Sequence, residues 1–364
     1  MRYFLIFLLG FGLAEAGAQE QVGDAEVVWY GYFKFDMAHD SAVSSNGNYI
    51  LYVRPQGKTT STLNITARQT RLGARIQRGQ MRGKVEVDFY GVSPENKNAL
   101  LLRQAYVAVP LGPLWLEAGQ SIDIIGPLVP STLNYSVVRG AGNVGYRHPQ
   151  VKLYYRGGTF FAGGSLSRNI SGDLDGDTIV DGSASGVPAV QGRVACTVRS
   201  GDAELTVGGW SHYGRCNCPS QSQSYSNWSI GGDGRFAWRG LALLGEWYSG
   251  ANMGQYGGAI YNSDQLGGLH STGAWVNMQY RLAWPLRLSV GAGVDRVRTA
   301  GLQGLEQARR RNAVLFANGR YRILPGVWAG FEVSQWRTRY ANPSPGTQAV
   351  SEDWRLQWSL KGDF

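Results

Sequence analysis

Arginine and lysine side chains recur at alternate positions along several segments, and they are the clearest candidates for chemistry in this sequence. Arg71 and Arg75 share one face of such a segment. Arg82 and Lys84 share a face of the next segment, after a short turn. Rings of such groups around a water-filled path favour anions. Because salt screens each charge over about 8 Å, we expect a preference for anions and not a strict gate.

Both signs of charge occur on the predicted face, with basic groups in excess. The candidate residues that would line a pathway or contact a solute are Lys34, Asp36, Arg71, Arg75, Arg82, Lys84, Asp88, Glu117, Asp123, Arg139, Lys152, Arg156, Arg193, Arg320 and Arg322. The formal net charge of +9 agrees with this excess. The alternative, that these groups only pair with one another and give no selectivity, stays open at this point.

A short acidic run offers a second kind of chemistry. Asp173, Asp175 and Asp177 are spaced like the first ligands of a calcium loop. Position six would be Thr178 instead of glycine, however, and position twelve would be Ala184 instead of glutamate. We therefore interpret the run as a solvated external loop, with a divalent ion shared with lipopolysaccharide as the alternative.

Motifs of enzymes are missing from the sequence. There is no nucleophile elbow, no zinc-binding H-E-x-x-H and no phosphate-binding loop, and the four histidines are scattered. We expect no enzymatic activity and no cofactor. A hydrolase that assembles a serine–histidine pair from distant strands is the alternative.

Alternation of apolar and polar residues predicts the elements that position these groups. It is clearest from Trp354 to Phe364, and a final strand that closes on Phe is similar to the assembly signal of outer-membrane barrels. About sixteen such strands follow one another, one of them over residues 63–77. Short Gly/Pro-rich turns alternate with long loops, such as 214–224. The predicted fold is all-β: a 16-stranded antiparallel transmembrane β-barrel with short periplasmic turns and long external loops.

The N-terminal residues predict export. Arg2 precedes an apolar run over residues 3–13, which is too short to cross a bilayer as a helix. Ala16-Gly17-Ala18 then fits the cleavage pattern of a signal peptide. We predict a signal peptide over residues 1–18 and a single barrel domain over residues 19–364, with an N-terminal membrane anchor as the alternative.

The segment 120–147 is unusually apolar for an exposed loop, since it contains Ile124, Ile125, Leu128 and Leu133. We expect this third loop to fold into the barrel, pack on the inner wall and narrow the pore. Asp123 and Arg139 would then lie near the constriction. An ordinary external loop used in subunit contacts is the alternative.

Several runs carry a resemblance to a known family. They are GYFKFD at residues 31–36, TARQTRLG at residues 66–73, LRQAYV at residues 102–107, and Gly119-Gln120. In these runs the chain resembles the DcaP-like trimeric porins, which are associated with uptake of dicarboxylates and other small anions. The resemblance implies sixteen strands, a homotrimer and an inward third loop. Coiled-coil heptads ahead of the first strand, which some members carry, are not seen here, so trimer contacts would rest on the barrel faces.

Together these features predict an outer-membrane porin for passive diffusion of small hydrophilic solutes, with a preference for anions. A barrel with 16–18 strands leaves an aqueous channel. The expected partners are outer-membrane lipid and lipopolysaccharide, further copies of the chain in a homotrimer, and small anionic solutes; nucleic acid is not expected. A non-channel barrel, such as an adhesin or structural anchor, and less readily a hydrolase, are the alternatives.

Overall fold

A computed structural model describes residues 19–55, 60–91, 98–282 and 285–364. The predicted signal peptide lies outside the described residues. The strands are β1 (Gln19–Val22), β2 (Ala25–Asp40), β3 (Thr62–Thr66), β4 (Arg71–Arg78), β5 (Met81–Gly91), β6 (Ala99–Leu111), β7 (Leu114–Ile122), β8 (Arg147–Arg156), β9 (Phe160–Ser167), β10 (Ala189–Ser200), β11 (Ala203–Cys218), β12 (Gln223–Trp238), β13 (Leu241–Ala251), β14 (His270–Arg281), β15 (Leu286–Val297), β16 (Arg309–Leu324), β17 (Val327–Tyr340) and β18 (Val350–Asp363).

Within residues 19–55, 60–91, 98–282 and 285–364, helical structure is limited to short turns in the loops. There is one α-helical turn, α1 (Asp181–Ala184), and there are 3-10 turns at Pro219–Gln221, Gly254–Tyr256, Ala259–Tyr261 and Thr299–Leu302. No helix among the described residues is both long enough and apolar enough to cross a membrane.

The strands form one closed antiparallel barrel with 16 positions. Each strand from β4 to β18 pairs with the next one along the chain. The ring closes because β18 pairs with β2, and β3 and β4 together fill one position beside β2. The predicted 16-stranded barrel is confirmed.

The two faces of each strand differ in the way that the alternation predicts. Large apolar side chains on the outer face remain exposed, among them Val194, Val207, Val276, Leu315 and Phe331. The inner face carries most of the charged and aromatic residues that the barrel buries. An apolar outside with a polar inside is the reverse of a water-soluble protein and is the arrangement of a membrane barrel.

The seam between β18 and β2 depends on one glycine. Gly31 and Phe364 exchange two backbone hydrogen bonds of 3.1 Å, and the Phe364 ring lies 5.2 Å from the ring of Phe33. A Cβ atom at Gly31 would collide with the carbonyl oxygen of Arg71 and with the Phe364 ring. Glycine at this position therefore lets the first and last long strands close the cylinder.

Two predicted boundaries are wrong. The predicted strand over residues 63–77 is interrupted at residues 67–70, where Thr70 N–H donates to the Ala67 carbonyl and makes a turn. The predicted long loop 214–224 is mostly strand, because β11 and β12 continue to a short connection at residues 219–222. Alternation persists there, with Cys216, Cys218 and Tyr225 buried on the inner side. The outer face of this extension carries polar residues, among them Arg215 and Ser224.

Candidate permeation pathway

The loop between β7 and β8, residues 123–146, begins at a buried anchor. Asp123 is 4% exposed and accepts hydrogen bonds from the Tyr146 N–H at 2.8 Å and the Gln191 amide at 3.2 Å. The same carboxylate also lies 2.6 Å from Nδ1 of His148. These bonds join the two ends of the loop to each other and to β10, so the loop leaves the wall in a fixed direction.

From that anchor the loop crosses to the far side of the barrel. The Leu128 N–H donates to Glu246 on β13 at 2.6 Å, and the Ser131 N–H donates to Asn277 on β14 at 2.9 Å. Further along, the Leu133 N–H donates to Glu332 on β17 at 2.8 Å. Inward side chains of the wall thus accept from the loop backbone. The prediction that this loop folds into the barrel is confirmed.

Basic side chains secure the carbonyl side of the same loop. Lys34 on β2 donates to the Leu133 carbonyl at 2.7 Å and pairs with Asp36 at 3.0 Å. Arg320 on β16 donates to the Ser131 hydroxyl at 2.7 Å and the Thr132 carbonyl at 3.2 Å. These cations support the loop and are covered by it.

Apolar residues fill the space between the loop and this part of the barrel. We call the inward face of β13–β17 the filled wall, and its main side chains are Glu246, Trp275, Phe316, Glu332 and Trp336. The three aromatic side chains are 4%, 3% and 0% exposed and pack with Leu128, Val137 and Val138 of the third loop. The first loop follows β2, and its residues Ile50 and Val53 belong to the same cluster. This half of the lumen is therefore packed like a protein core.

The loop between β13 and β14, residues 252–269, holds the third loop from the outer side. The Gly140 N–H donates to the Gly257 carbonyl at 3.2 Å, and the Gly145 N–H donates to the Tyr256 carbonyl at 2.9 Å. Gly142 lies against the Ala274 backbone with a φ of 108°, a position that a Cβ atom would obstruct. The third loop is thus clamped between the barrel wall and a second loop.

The same outer loop contains a buried acid. Asp264 is 2% exposed and accepts the Gly172 N–H at 3.1 Å, which links this loop to the loop between β9 and β10. Burial raises the pKa of Asp264 to about 7, and the nearby Asp181 acts in the same direction. The contact between the two loops therefore has a titratable group in its centre.

The opposite side of the lumen has a different character. We call the inward face of β4–β6 the basic wall, and its cations are Arg71, Arg75, Arg82, Lys84 and Arg103. Adjacent strands place Arg71 opposite Asp88 and Arg75 opposite Lys84. The Arg71 side chain is 20% exposed, compared with 2% for Arg355 beneath the first loop. The ladder predicted from the sequence is present on this wall.

A β-bulge adds Arg103 to the ladder. In β6, Leu102 pairs with Val87 and Gln104 pairs with Glu86, so Arg103 is the extra residue. Arg103 and Gln104 both turn inward, and Arg103 forms ion pairs with Glu86 at 3.4 Å and, more closely, with Asp88. A bulge shifts the alternation by one residue. A strict period of two cannot predict it, and our candidate residues did not include Arg103.

Arginines from four elements, namely β4, β6, the third loop and β8, meet where the third loop approaches the basic wall. Arg147, the first residue of β8, lies within electrostatic range of Arg71, Arg103 and Arg139. Arg139 donates to the Gly145 carbonyl within the loop, and Arg147 stacks over the Tyr146 ring at 4.6 Å. Neither Arg139 nor Arg147 forms an ion pair with a carboxylate in the described part of the chain.

We call these groups the constriction cluster: Arg71, Lys84, Arg103, Arg139 and Arg147. Glu86 and Asp88 are the carboxylates paired with it, so the five cations exceed the two anions by three. Glu86 bridges three of the cations at 3.3–3.4 Å. The pairing that we kept as an alternative is thus real on this wall, but it leaves a positive excess.

Three tyrosines form the edge of the pathway beside the cluster. Tyr49 of the first loop, Tyr90 of β5 and Tyr135 of the third loop lie 5.2–5.4 Å apart between ring centroids. Arg68 lies over the Tyr90 ring at 5.5 Å. This aromatic contact connects the filled side with the basic wall. Its members come from distant parts of the sequence, and no local pattern predicts it.

The remaining predicted residues lie on the wall in pairs or over aromatic rings. Lys152 pairs with Glu117 at 2.9 Å, and Arg193 binds Asp233 through two nitrogens at 2.6 and 2.9 Å. Arg82, Arg156 and Arg322 lie over aromatic rings at 4.2–5.7 Å. The structure thus separates the predicted set into residues of the basic wall, residues that support the third loop, and wall pairs. Asp123 belongs to the supports and does not face the pathway.

The acidic run lies in the loop between β9 and β10, away from this pathway. Ligand oxygens of Asp173, Asp175 and Asp177 are within 4.8 Å of one another. The carboxylates already accept backbone N–H groups, including those of Gly176 at 2.7 Å and Ser220 at 3.0 Å. These hydrogen bonds fix the course of the run. Its interpretation as a solvated external loop stays a prediction, with a shared divalent ion as the alternative.

Comparison with solved structures identifies the fold. The outer membrane channel DcaP of Acinetobacter baumannii gives a TM-score of 0.79 at 18% identity, over 96% of this chain and 100% of that chain. The anion-selective porin from Comamonas acidovorans gives 0.61 at 12% identity, over 93% and 100%. OprB of Pseudomonas putida gives 0.61 at 11% identity, over 92% and 94%.

Other comparisons give no relative: no protein-family model and no curated protein matches this sequence. The likenesses establish the porin fold, in which a closed barrel crosses the outer membrane of a Gram-negative envelope. The predicted resemblance to DcaP-like porins is confirmed at the level of the fold.

Proposed function

We propose that this chain, which has the porin fold, lets small hydrophilic solutes diffuse passively across the outer membrane, with a preference for anions such as dicarboxylates. The constriction cluster is the observation that carries the proposal. Five cations with two carboxylates lie where the third loop approaches the basic wall. A positive excess at the narrowest part of a pore attracts anions and repels cations.

The cations of the basic wall are spread along the strands, which favours an extended path for anions over a single binding site. Arg71, Arg75 and Arg82 follow one another towards the short-turn end of β4 and β5. Two residues along a strand span about 7 Å, so Arg75 lies about 13 Å from Arg71, and Arg82 lies about 7 Å further towards the turn. Arg75 and Arg82 stack over the rings of Tyr30 and Trp115 at 4.4 and 4.2 Å. Stacking keeps each guanidinium at the wall, where it can attract an anion without blocking the lumen.

The test is conductance and ion selectivity of the purified protein in planar bilayers. We expect steady single-channel conductance and a reversal potential in a KCl gradient that indicates moderate chloride preference. The triple variant R71E/R75E/R82E should shift that potential towards cations. The matched control R168E/R215E/R337E changes exposed outer-face arginines by the same total charge and should leave it unchanged. Strong cation selectivity of the wild-type protein would reject the anion preference.

A barrel without a channel is the second candidate function, and the packing of the filled wall favours it more than any other feature does. Loops 41–55, 123–146 and 252–269 together occupy much of the lumen. A folded protein that gives no ion conductance would support an adhesin or structural anchor instead.

We propose no enzymatic role. His148 and His212 come close together on either side of Tyr256, at 5.2 and 4.3 Å between ring centroids, but they are 1% and 3% exposed. A solute in the lumen cannot reach them. Turnover of ester or phospholipid substrates by the folded protein would contradict this part of the proposal.

We also propose a homotrimer, as the resemblance to DcaP-like porins implies. The apolar outer faces of the barrel offer surfaces for such contacts, since they carry side chains that suit lipid and protein neighbours alike. Mass photometry of the protein in detergent should give three copies per particle, and a single copy would contradict the trimer.

A further inference from the structure

An arginine row lies on the outer face of the barrel, at the long-loop ends of three neighbouring strands. Arg296 of β15 pairs in register with Arg311 of β16, which pairs with Arg339 of β17. Adjacent strands are about 4.8 Å apart, so the three Cα atoms lie within about 10 Å. Arg296 and Arg339 are exposed and Arg311 is half-buried. The row faces away from the lumen.

No carboxylate among the described residues pairs with this row. Arg337 of the same outer face forms an ion pair with Glu352 at 3.0 Å, whereas none of the three arginines of the row forms one in this part of the chain. The Nε atom of Arg311 is buried without a hydrogen-bond partner. Like charges directly opposite each other across strands are destabilising. An anion bound from outside the chain would offset this repulsion.

The row borders a cleft that could admit such a group. The cleft has a volume of about 720 Å³ and opens on the outer surface. Besides the row, it is lined by Arg298 and Arg310, which add two more positive charges. Five guanidiniums around one opening are suited to an anion with several oxygens, because each guanidinium can donate two parallel hydrogen bonds.

The position of the row indicates which anion it meets. On the same outward face and nearer the short turns, β15, β16 and β17 expose Val290, Leu315 and Phe331 at 46%, 59% and 53%. The arginines thus lie at the external border of the apolar band. In a barrel that crosses the outer membrane, lipid headgroups of the external leaflet lie at this height.

We propose that the arginine row binds the phosphate groups of lipopolysaccharide, with the lipid A acyl chains against the apolar band below. Continuity between charged row and apolar band favours a lipid over free phosphate, because a soluble anion would make no use of the band. Each arginine near a charged lipid surface contributes about 1 kcal/mol, which corresponds to about a fivefold change in affinity. The site depends on the barrel's place in the membrane but not on permeation through its lumen.

Binding is tested on the purified full chain in detergent, by native mass spectrometry and by thermal unfolding. The ligands are bisphosphorylated lipid A, its monophosphorylated form and inorganic phosphate. We expect retained lipid A on the wild-type protein and a saturable increase in Tm that is larger for two phosphates than for one. The triple variant R296Q/R311Q/R339Q should bind lipid A roughly 100-fold more weakly, from about fivefold per arginine.

The matched control is R78Q/R199Q/R239Q, which removes three charges at the short-turn end, where the side chains are 52–70% exposed. It should bind lipid A like the wild-type protein. If the first triple variant does not fold, R311Q alone replaces it, and a loss of about fivefold is expected. Unchanged lipid A binding by the variant, an equal loss in the control, or an equal Tm increase with inorganic phosphate would each overturn the proposal.

Discussion

The filled wall and the basic wall are made from the same kind of strand, yet they use their inward side chains for different purposes. On the filled wall, Glu246 and Glu332 accept backbone N–H groups of the third loop, and Trp336 packs beneath it. On the basic wall, Arg71 and Arg75 face the remaining space. An inward-facing charge is therefore not by itself a pore-lining charge, because a loop can cover it.

Arg320 and Arg147 show the difference for one residue type. Both are inward-facing arginines, but Arg320 donates to two groups of the third loop, whereas Arg147 stacks on Tyr146 beside three other guanidiniums. The first stabilises the loop, and the second adds to the field in the pathway. This difference between the filled wall and the basic wall can be tested with variants. They remove the hydrogen-bond acceptors of the third loop, the cations of the pathway or the packing of the filled wall.

Removing both loop acceptors should have the largest effect. In E246A/E332A, the N–H groups of Leu128, Leu133 and Asn134 lose their acceptors. Each such buried group costs roughly 1–3 kcal/mol, so the third loop should leave the filled wall. Single-channel conductance should rise severalfold. Both oxygens of each carboxylate accept hydrogen bonds, whereas E246Q/E332Q keeps only one acceptor oxygen per position. Its conductance should therefore lie between that of wild type and that of the alanine variant. Unchanged conductance in the alanine variant would mean that the loop is held by other contacts.

The next effect concerns selectivity. R139Q/R147Q removes two of the five cations of the constriction cluster, and the chloride-to-potassium permeability ratio should fall by about half on the assumption of a screened, additive field. R320Q removes one cation that the third loop covers on the filled wall, and it should change the ratio by much less than half the effect of the double variant. Equal effects of the two variants would contradict the division between the walls.

The packing on the filled wall should contribute mainly to the free energy of unfolding. Trp336 is fully buried, and W336A should lower the free energy of unfolding by about 3–5 kcal/mol, as large aromatic truncations do. Phe331 is on the same strand but 53% exposed towards lipid, so F331A should cost much less. Urea-induced unfolding into detergent micelles, followed by tryptophan fluorescence for F331A and by circular dichroism for both, measures the difference. Equal losses would mean that the filled wall is not a packed core.

The smallest effect should come from Asp264. Because burial raises its pKa to about 7, the folded protein binds a proton that the unfolded chain releases near the ordinary carboxyl pKa of 3.8. Stability from this group is therefore greatest at low pH and declines as pH rises towards 7. D264N keeps an acceptor for the Gly172 N–H and should raise Tm by a few degrees at pH 8 but not at pH 4. A Tm gain that is the same at both pH values would exclude ionisation of Asp264 as the cause.

Local patterns predicted most of the fold. The alternation in β18, the short turns and the apolar third loop each depend on neighbouring residues, and each is confirmed. The features that the sequence did not predict depend on strand register or on contacts between residues far apart in the sequence. The bulge at Arg103 changes which face a residue occupies, and it is visible only from the register with β5. The role of Asp123 depends on Gln191 and His148, which the sequence places 68 and 25 residues away.

The hydrogen bonds that hold the third loop determine which sequence changes in that loop the protein can accept. Glu246 and Glu332 bind main-chain amides of the loop, and nearly any residue at positions 128, 133 and 134 supplies the same amide, proline excepted. These hydrogen bonds are thus indifferent to side-chain identity, although Leu128 also packs against the filled wall. Mutation or engineering can exchange the loop surface that meets the solute while the loop keeps its course, so new permeant specificities are accessible without redesign of the cylinder.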